Sequence, residues 1–353
     1  MEKERRRKGM EKERRILKMV VALAVVLIIN IFFCPAPMAQ EKYTLRLATF
    51  YPSAATMAKH GITSVIDEVS KRSKGRLEIK PFYQETLFKA RDQFHAVTTG
   101  SVDITFLVSA WAGDVIPNFL VCFCPFLFDD YAHFSRAWKA GISDIWTAEA
   151  AKHNIILLGN APFYTGVNQI YSRKKVVRLP SDLKGLKMRS FNLLLDTLIK
   201  EAGGTPVSMP ITDVYTVLDR GTVDGFISSM IGGVEPMRLY EVAKCANRIP
   251  IVFGSPNFNA INKKSFESLP KDLQDILNEV NREKLWLFSD ELVTKLENKT
   301  FERMKKKEGM EIHNPTREEL KEWRKAAKPA WDKFIEITGE TGRKQIEIAN
   351  ATR

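Results

Sequence analysis

Residues 100–108 read GSVDITFLV, and the same opening returns at 221–228 as GTVDGFIS. In both, a glycine closes a helical stretch, Val-Asp follows, and a hydrophobic strand begins. The residues before each copy repeat too. TLRLATF (44–50) alternates as a strand does, with Leu45, Leu47 and Thr49 on one face, and Ala58, Ile62, Val65, Ile66 and Val69 then fall at helical spacing. Gly75 ends that helix, RLEIK (76–80) alternates again, and a second helix carrying Phe94 and Val97 stops at Gly100. The second pass starts with the strand GLKMR (185–189). Leu194, Leu195, Leu198, Ile199 and Ala202 make the helical stripe, TPVSM (205–209) is the next strand, and a helix capped at Thr212 stops at Gly221. Each half reads β-α-β-α-β.

Alternating strands and helices predict a parallel sheet with right-handed crossovers in each half. Ligands of such sheets bind beyond the carboxyl ends of the strands. Two facing lobes bring those ends to a common cleft, and hinged closure around a ligand is how periplasmic binding proteins work. The expected layout is lobe I at 40–160 with a return at about 250–270, lobe II at 161–249, and a helical segment at 271–353 packed across both. In that segment Leu273, Ile276, Leu277 and Val280 share one face, and Thr316 with Glu319 forms a capping box before Leu320, Trp323 and Ala327.

The first 39 residues read as an export signal: a basic stretch, an apolar run from Met19 to Phe33 broken by Asn30, and then CPAPMA. The run is short of the ~20 residues a spanning helix needs. Cleavage is expected after Ala39, although Pro37 is an unfavoured residue there. An uncleaved membrane anchor is the alternative, and a lipoprotein reading through Cys34 is weaker because Phe32 and Phe33 precede it. Residues 1–18 hold nine Lys/Arg and four Asp/Glu, so +5 of the +12 net charge lies in the leader. The remaining charge is dispersed, with no basic stripe interleaved with aromatics, which argues against nucleic-acid binding. Cys122, Cys124 and Cys245 lack accompanying histidines and read as buried thiols, with pairing of Cys122 or Cys124 to Cys245 left open. His60, His95, His133, His153 and His313 are scattered and form no HExxH or comparable motif, so a hydrolase or lyase is disfavoured. Asp103 and Asp224 hold equivalent places in the repeat and read as turn-capping residues rather than catalytic carboxylates.

SDLKGLKMRSFN (181–192), PVSMPITDVY (206–215) leading to DRGTVDGF (219–226), LYEVAK (239–244), GSVDITF, CPFLF (124–128) and WDKFIEITGE (331–340) together resemble the DctP-type solute-binding subunits of TRAP transporters. The resemblance runs from about Tyr43 to Ile348. It implies an α/β, two-lobe, periplasmic-binding-protein-like (type II) fold with hinge strands and a long C-terminal spanning helix. It also implies a non-enzymatic periplasmic protein; some members use a metal or dimerise, but no residue cluster dedicated to either is visible here, so a monomer without cofactor or metal is expected. Such a protein captures a small organic acid and hands it to small and large TRAP membrane subunits for ion-gradient-driven uptake. A binding protein feeding an ABC transporter or a sensor is the alternative.

In that family an arginine clamps the ligand carboxylate, and Arg189 matches it. A guanidinium presents a planar fork of donors to two carboxylate oxygens. On the residues alone, Arg189 shares a strand face with Lys187, which reads as a solvated basic pair. Asn192 matches a further contact position. Three departures stand out: Asn168 where some members have a second arginine, Val108 where some have an acid, and Ile211 where an aromatic is usual. Ser228 occupies the amide position after Val-Asp-Gly. Polar groups thus thin out around Arg189, which favours a monocarboxylate, keto or aromatic acid over a polyhydroxylated one. Strand ends add Phe50, Tyr51, Gln84, Ser109, Trp111, Met209, and Phe163 with Tyr164 at the start of lobe II. The helix start at Thr212 is a further candidate for holding an anion.

Overall fold

The computed structural model describes residues 1–32, 41–252 and 256–353. It divides into two compact units, Met1–Glu41 and Lys42–Arg353. The first consists of one helix, Glu2–Phe32. Among the described residues, no helix is long and apolar enough to cross a membrane. The expected processing site, with Cys34, Pro37 and Ala39, lies outside the described residues.

The second unit holds twelve strands among its described residues: β1 (Tyr43–Ala48), β2 (Leu77–Phe82), β3 (Ile104–Val108), β4 (Ile155–Leu157), β5 (Phe163–Tyr164), β6 (Asn168–Ser172), β7 (Lys187–Ser190), β8 (Thr205–Ser208), β9 (Gly225–Ser229), β10 (Cys245–Val252), β11 (Pro256–Asn262) and β12 (Glu311–His313). They form two sheets. The first runs β2-β1-β3-β11-β4, with β5 paired to β11, and the second runs β12-β10-β6-β9-β7-β8. The sequence repeat is visible in them, since parallel β2-β1-β3 corresponds to parallel β8-β7-β9.

The Gly-x-Val-Asp signature has one physical role in both sheets. Gly100 and Gly221 turn the chain with φ of 76° and 73°, a left-handed conformation that glycine adopts without steric cost. Val102 and Val223 are buried. Asp103 Oδ2 accepts the Arg46 N–H of β1 at 2.8 Å, and Asp224 Oδ2 accepts the Lys187 N–H of β7 at 2.9 Å. Each aspartate thus ties the strand it opens to the first strand of its own half.

Several expectations change. Phe163 and Tyr164 do not open the second lobe, because β5 pairs antiparallel with β11 in the first sheet. Its rings belong to that core, with Phe163 edge-on to Phe106 at 5.5 Å. Thr212 is not a helix cap: it lies inside a 3-10 turn, Ile211–Asp213, that follows Pro210, and the helix beyond it is only Val214–Asp219. No helix-terminal anion site exists on so short an element. Cys122 and Cys124 lie on or next to a 3-10 helix, Pro117–Phe123, rather than an extended strand, and both, like Cys245, are buried free thiols.

The 38-residue helix Lys271–Glu308 reaches both lobes, touching Ser64–Arg72 of the first and Met230–Val234 of the second. Leu273, Leu277 and Val280 are fully buried on its inner face, worth roughly 1.5–3 kcal/mol each. The turn Leu158–Asn160 lies directly against this helix. Gly159 has φ +66°, and a Cβ there would stand 2.5 Å from Arg282 N and 2.7 Å from Asn278 O. Gly159→Ala is therefore expected to destabilise the protein by about 2 kcal/mol, read as a lower urea midpoint. The capping box at Thr316 and Glu319 forms as the sequence indicates. The last helix, Lys328–Ala351, packs on Leu193–Glu201 of the second lobe and Pro117–Phe123 of the first.

Candidate functional site

The carboxyl ends of β1, β3, β7 and β9 converge on one cavity, with about 400 Å³ of space free of protein atoms including its solvent-open mouth. Phe50, Tyr51, Val108, Trp111 and Asn257 line it from the first sheet and its loops. Asn168, Arg189, Phe191, Ile211, Ser228, Ser229, Gly232 and Gly233 line it from the second, and Thr165 sits between β5 and β6.

Arg189 lies one residue before the end of β7 and is only 2% exposed. Its Nε donates to Met209 O and its Nη1 to Ile227 O, both at 3.0 Å. Its Cζ stands 4.9 Å from the centroid of the Phe191 ring. Two backbone carbonyls and a ring thereby fix the guanidinium plane, while Nη2 has no hydrogen-bond partner among the described residues. Among the described residues no carboxylate forms an ion pair with it. Burial, helped by nearby Arg91 and opposed by Asp213 and Asp196, pushes its pKa down to about 9. The solvated basic pair that strand alternation suggests does not occur: Lys187 is exposed, and Arg189 has turned inward.

The other candidates divide. Asn168 (3% exposed) and Trp111 line the cavity, and Asn168 Nδ2 and Trp111 Nε1 are both buried without a hydrogen-bond partner. Ser228 lines it from β9. Tyr51 lines it as well, but its hydroxyl donates to Gly232 O at 2.9 Å, a bond from the first lobe to the second. Burial raises the pKa of that hydroxyl well above its ordinary value, so it stays protonated.

Asn192 does not line the cavity: its Oδ1 caps the helix Leu193–Glu201 by accepting from Leu194 N and Leu195 N, both at 3.1 Å. Met209 acts through its backbone oxygen on Arg189. Gln84 is an exposed turn residue with φ 54°. Ser109 is fully buried behind the wall, its N–H donating to Asn257 Oδ1 at 3.3 Å. Phe163 is core.

Thr165, Phe191, Ser229, Gly232, Gly233 and Asn257 are lining residues beyond those the sequence singled out. Phe191 was accessible to strand periodicity, being two residues from Arg189 on the same face. The thinning of polar groups inferred from Val108 and Ile211 is offset by Thr165, Ser229 and Asn257, so the wall is mixed in character. Among the described residues no Asp or Glu lines it. Among the described residues no cluster of three or more His, Cys, Asp or Glu could hold a metal ion.

The family model for bacterial extracellular solute-binding proteins, family 7 (DctP), matches residues 49–337. A solute-binding protein of Albidiferax ferrireducens is 29% identical over 218 residues, covering 61% of this chain and 63% of its own. The 2,3-diketo-L-gulonate-binding periplasmic protein YiaO of Escherichia coli is 28% identical over 229 residues, covering 64% of this chain and 69% of its own. The crystal structure of a TRAP periplasmic solute-binding protein from Rhodoferax ferrireducens with bound malonate is similar with a TM-score of 0.78 at 25% identity, covering 87% of this chain and 98% of that one.

Proposed function

Because the chain belongs to the DctP family of bacterial extracellular solute-binding proteins, we propose that it captures a small organic carboxylate between its lobes, with Arg189 as the clamp. The observation that carries this reading is a buried guanidinium without an acid partner. A buried charge is costly unless paired, and a carboxylate entering the cavity would supply both the charge and the acceptors for Nη2 and the second hydrogen of Nη1. The two carbonyl bonds hold the fork in place beforehand, which lowers the ordering cost of binding. The similar proteins support the same ligand chemistry, since diketogulonate and malonate are both carboxylates. Lining by Phe50, Trp111, Phe191 and Ile211 on one side and hydroxyl and amide groups on the other suits a compact acid with a flat or short body.

The bound acid would then be delivered, outside the cytoplasm, to the small and large membrane subunits of a TRAP transporter, after loss of the N-terminal leader as an export signal. The protein acts as a monomeric carrier and catalyses no reaction. A thermal-shift screen of the protein against small carboxylates and their neutral amides tests the reading. At a hundredfold excess over Kd, a ligand that binds only the folded state adds about 2.7 kcal/mol, which for a protein of this size is a shift of roughly 5–10 °C. Shifts with acids and not with amides are expected. Shifts with amides alone, or with nothing in the library, would overturn it.

A further inference from the structure

The cavity carries more unpaired donors than a carboxylate on Arg189 can satisfy. Trp111 follows β3 on the first lobe, and its Nε1–H is buried without a partner. Its ring is held in place against Phe50, centroids 5.1 Å apart. Asn168 opens β6 on the second lobe, and its Nδ2 is likewise buried without a partner. An indole N–H and an amide NH2 only donate, so neither nitrogen can receive a ligand ammonium, whereas a ligand oxygen can accept from both. Buried donors of this kind are normally paired, and the cavity is the space both side chains line. The same wall has no carboxylate to receive a cation.

Resting on the carboxylate reading, we propose that the ligand carries a second oxygen acceptor, an oxo or ring-carbonyl group apart from its carboxylate, and that Trp111 and Asn168 take it from opposite lobes. A carbonyl oxygen has two lone pairs, enough for one donor from each lobe. Its capture then couples recognition to lobe closure, because each donor arrives with a different half of the cleft. An α-amino acid brings an ammonium where an acceptor is needed and is rejected. Trp111 is in these terms the specificity-determining residue, and Arg189 supplies affinity common to all acids.

Calorimetry on the full chain tests this with matched short-chain and aromatic acids, each 2-oxo acid against its deoxygenated carboxylate and its 2-amino counterpart. The 2-oxo acid is expected to bind at least about tenfold more tightly than the plain carboxylate, with the amino acid weakest. In Trp111→Phe the oxo preference should collapse toward one. Asn168→Ser should reduce the preference in the same direction. As the readout is a ratio measured on one sample, a share of unfolded variant does not alter it. Equal binding of oxo and plain acids by the unaltered protein, a preference undiminished in both variants, or no binding of any oxo acid would overturn the proposal. Equal binding that still requires Arg189 would leave the carboxylate clamp standing.

Discussion

Arg189→Met is expected to abolish the response to organic acids, with at least a ~100-fold loss of affinity, while the free protein melts no lower than the unaltered one. The two halves of that result have one cause. Arg189 is 2% exposed, donates to Met209 O and Ile227 O, and stands over the Phe191 ring. Burial above all lowers its pKa to about 9. A base whose folded pKa is depressed weakens folding wherever it is charged, since above about pH 9 the unfolded chain keeps a proton that the folded chain has lost. Stability therefore rises with pH above about 9, and at pH 7 the penalty is fully present, on the order of 4 kcal/mol. Methionine removes it. Against this stand two lost hydrogen bonds to carbonyls, about 1 kcal/mol each. A purely structural arginine would behave differently: its loss would lower the melting temperature by many degrees and leave any acid-induced shift intact. Thermal melts of the variant with and without acid separate these cases.

The cost that Arg189 imposes on the free protein also explains why this residue was hard to read from the chain alone. In GLKMR the alternation groups Arg189 with Lys187, and only its place at the strand's carboxyl end and the resemblance point inward. What local pattern does record is the repeat: the glycine, valine and aspartate of Gly-x-Val-Asp have the same turn, burial and strand-pinning roles in both halves. These are contacts between neighbouring elements of one half, so both copies carry them. The sheet as a whole is less local. β11 returns from the second sheet to pair antiparallel with β3, β4 and β5; a return at about 250–270 is expected from the sequence, but nothing in the residues around Phe163 announces that they pair with it. That return brings Asn257 to the cavity and draws Phe163 into the core. Asn192 divides its groups: Oδ1 serves the orphan N–H groups of the helix that starts beside it, while Nδ2 is buried without a hydrogen-bond partner.

Glu297→Gln is expected to match the unaltered protein in stability at pH 4.5 and to exceed it by on the order of 3 kcal/mol at pH 8. Glu297 lies on the long helix, 5% exposed, with Oε1 lacking a hydrogen-bond partner. It accepts the Val167 N–H, in the crossover from β5 of the first sheet to β6 of the second. Burial pushes its pKa up to about 8, against the opposing pull of Arg248 and the Val167 N–H. The Tyr171 hydroxyl faces the same charge, which adds to the effect of burial in keeping it protonated. For an acid whose folded pKa is raised, the folded chain holds between pH 4.5 and 8 a proton that the unfolded chain has released. Stability therefore falls as pH rises through that window. Glutamine, neutral throughout, removes the fall while its side-chain oxygen keeps the Val167 bond. Urea unfolding of both proteins at the two pH values checks this, and a difference that is the same at both, or a glutamine variant weaker at pH 8, would refute it.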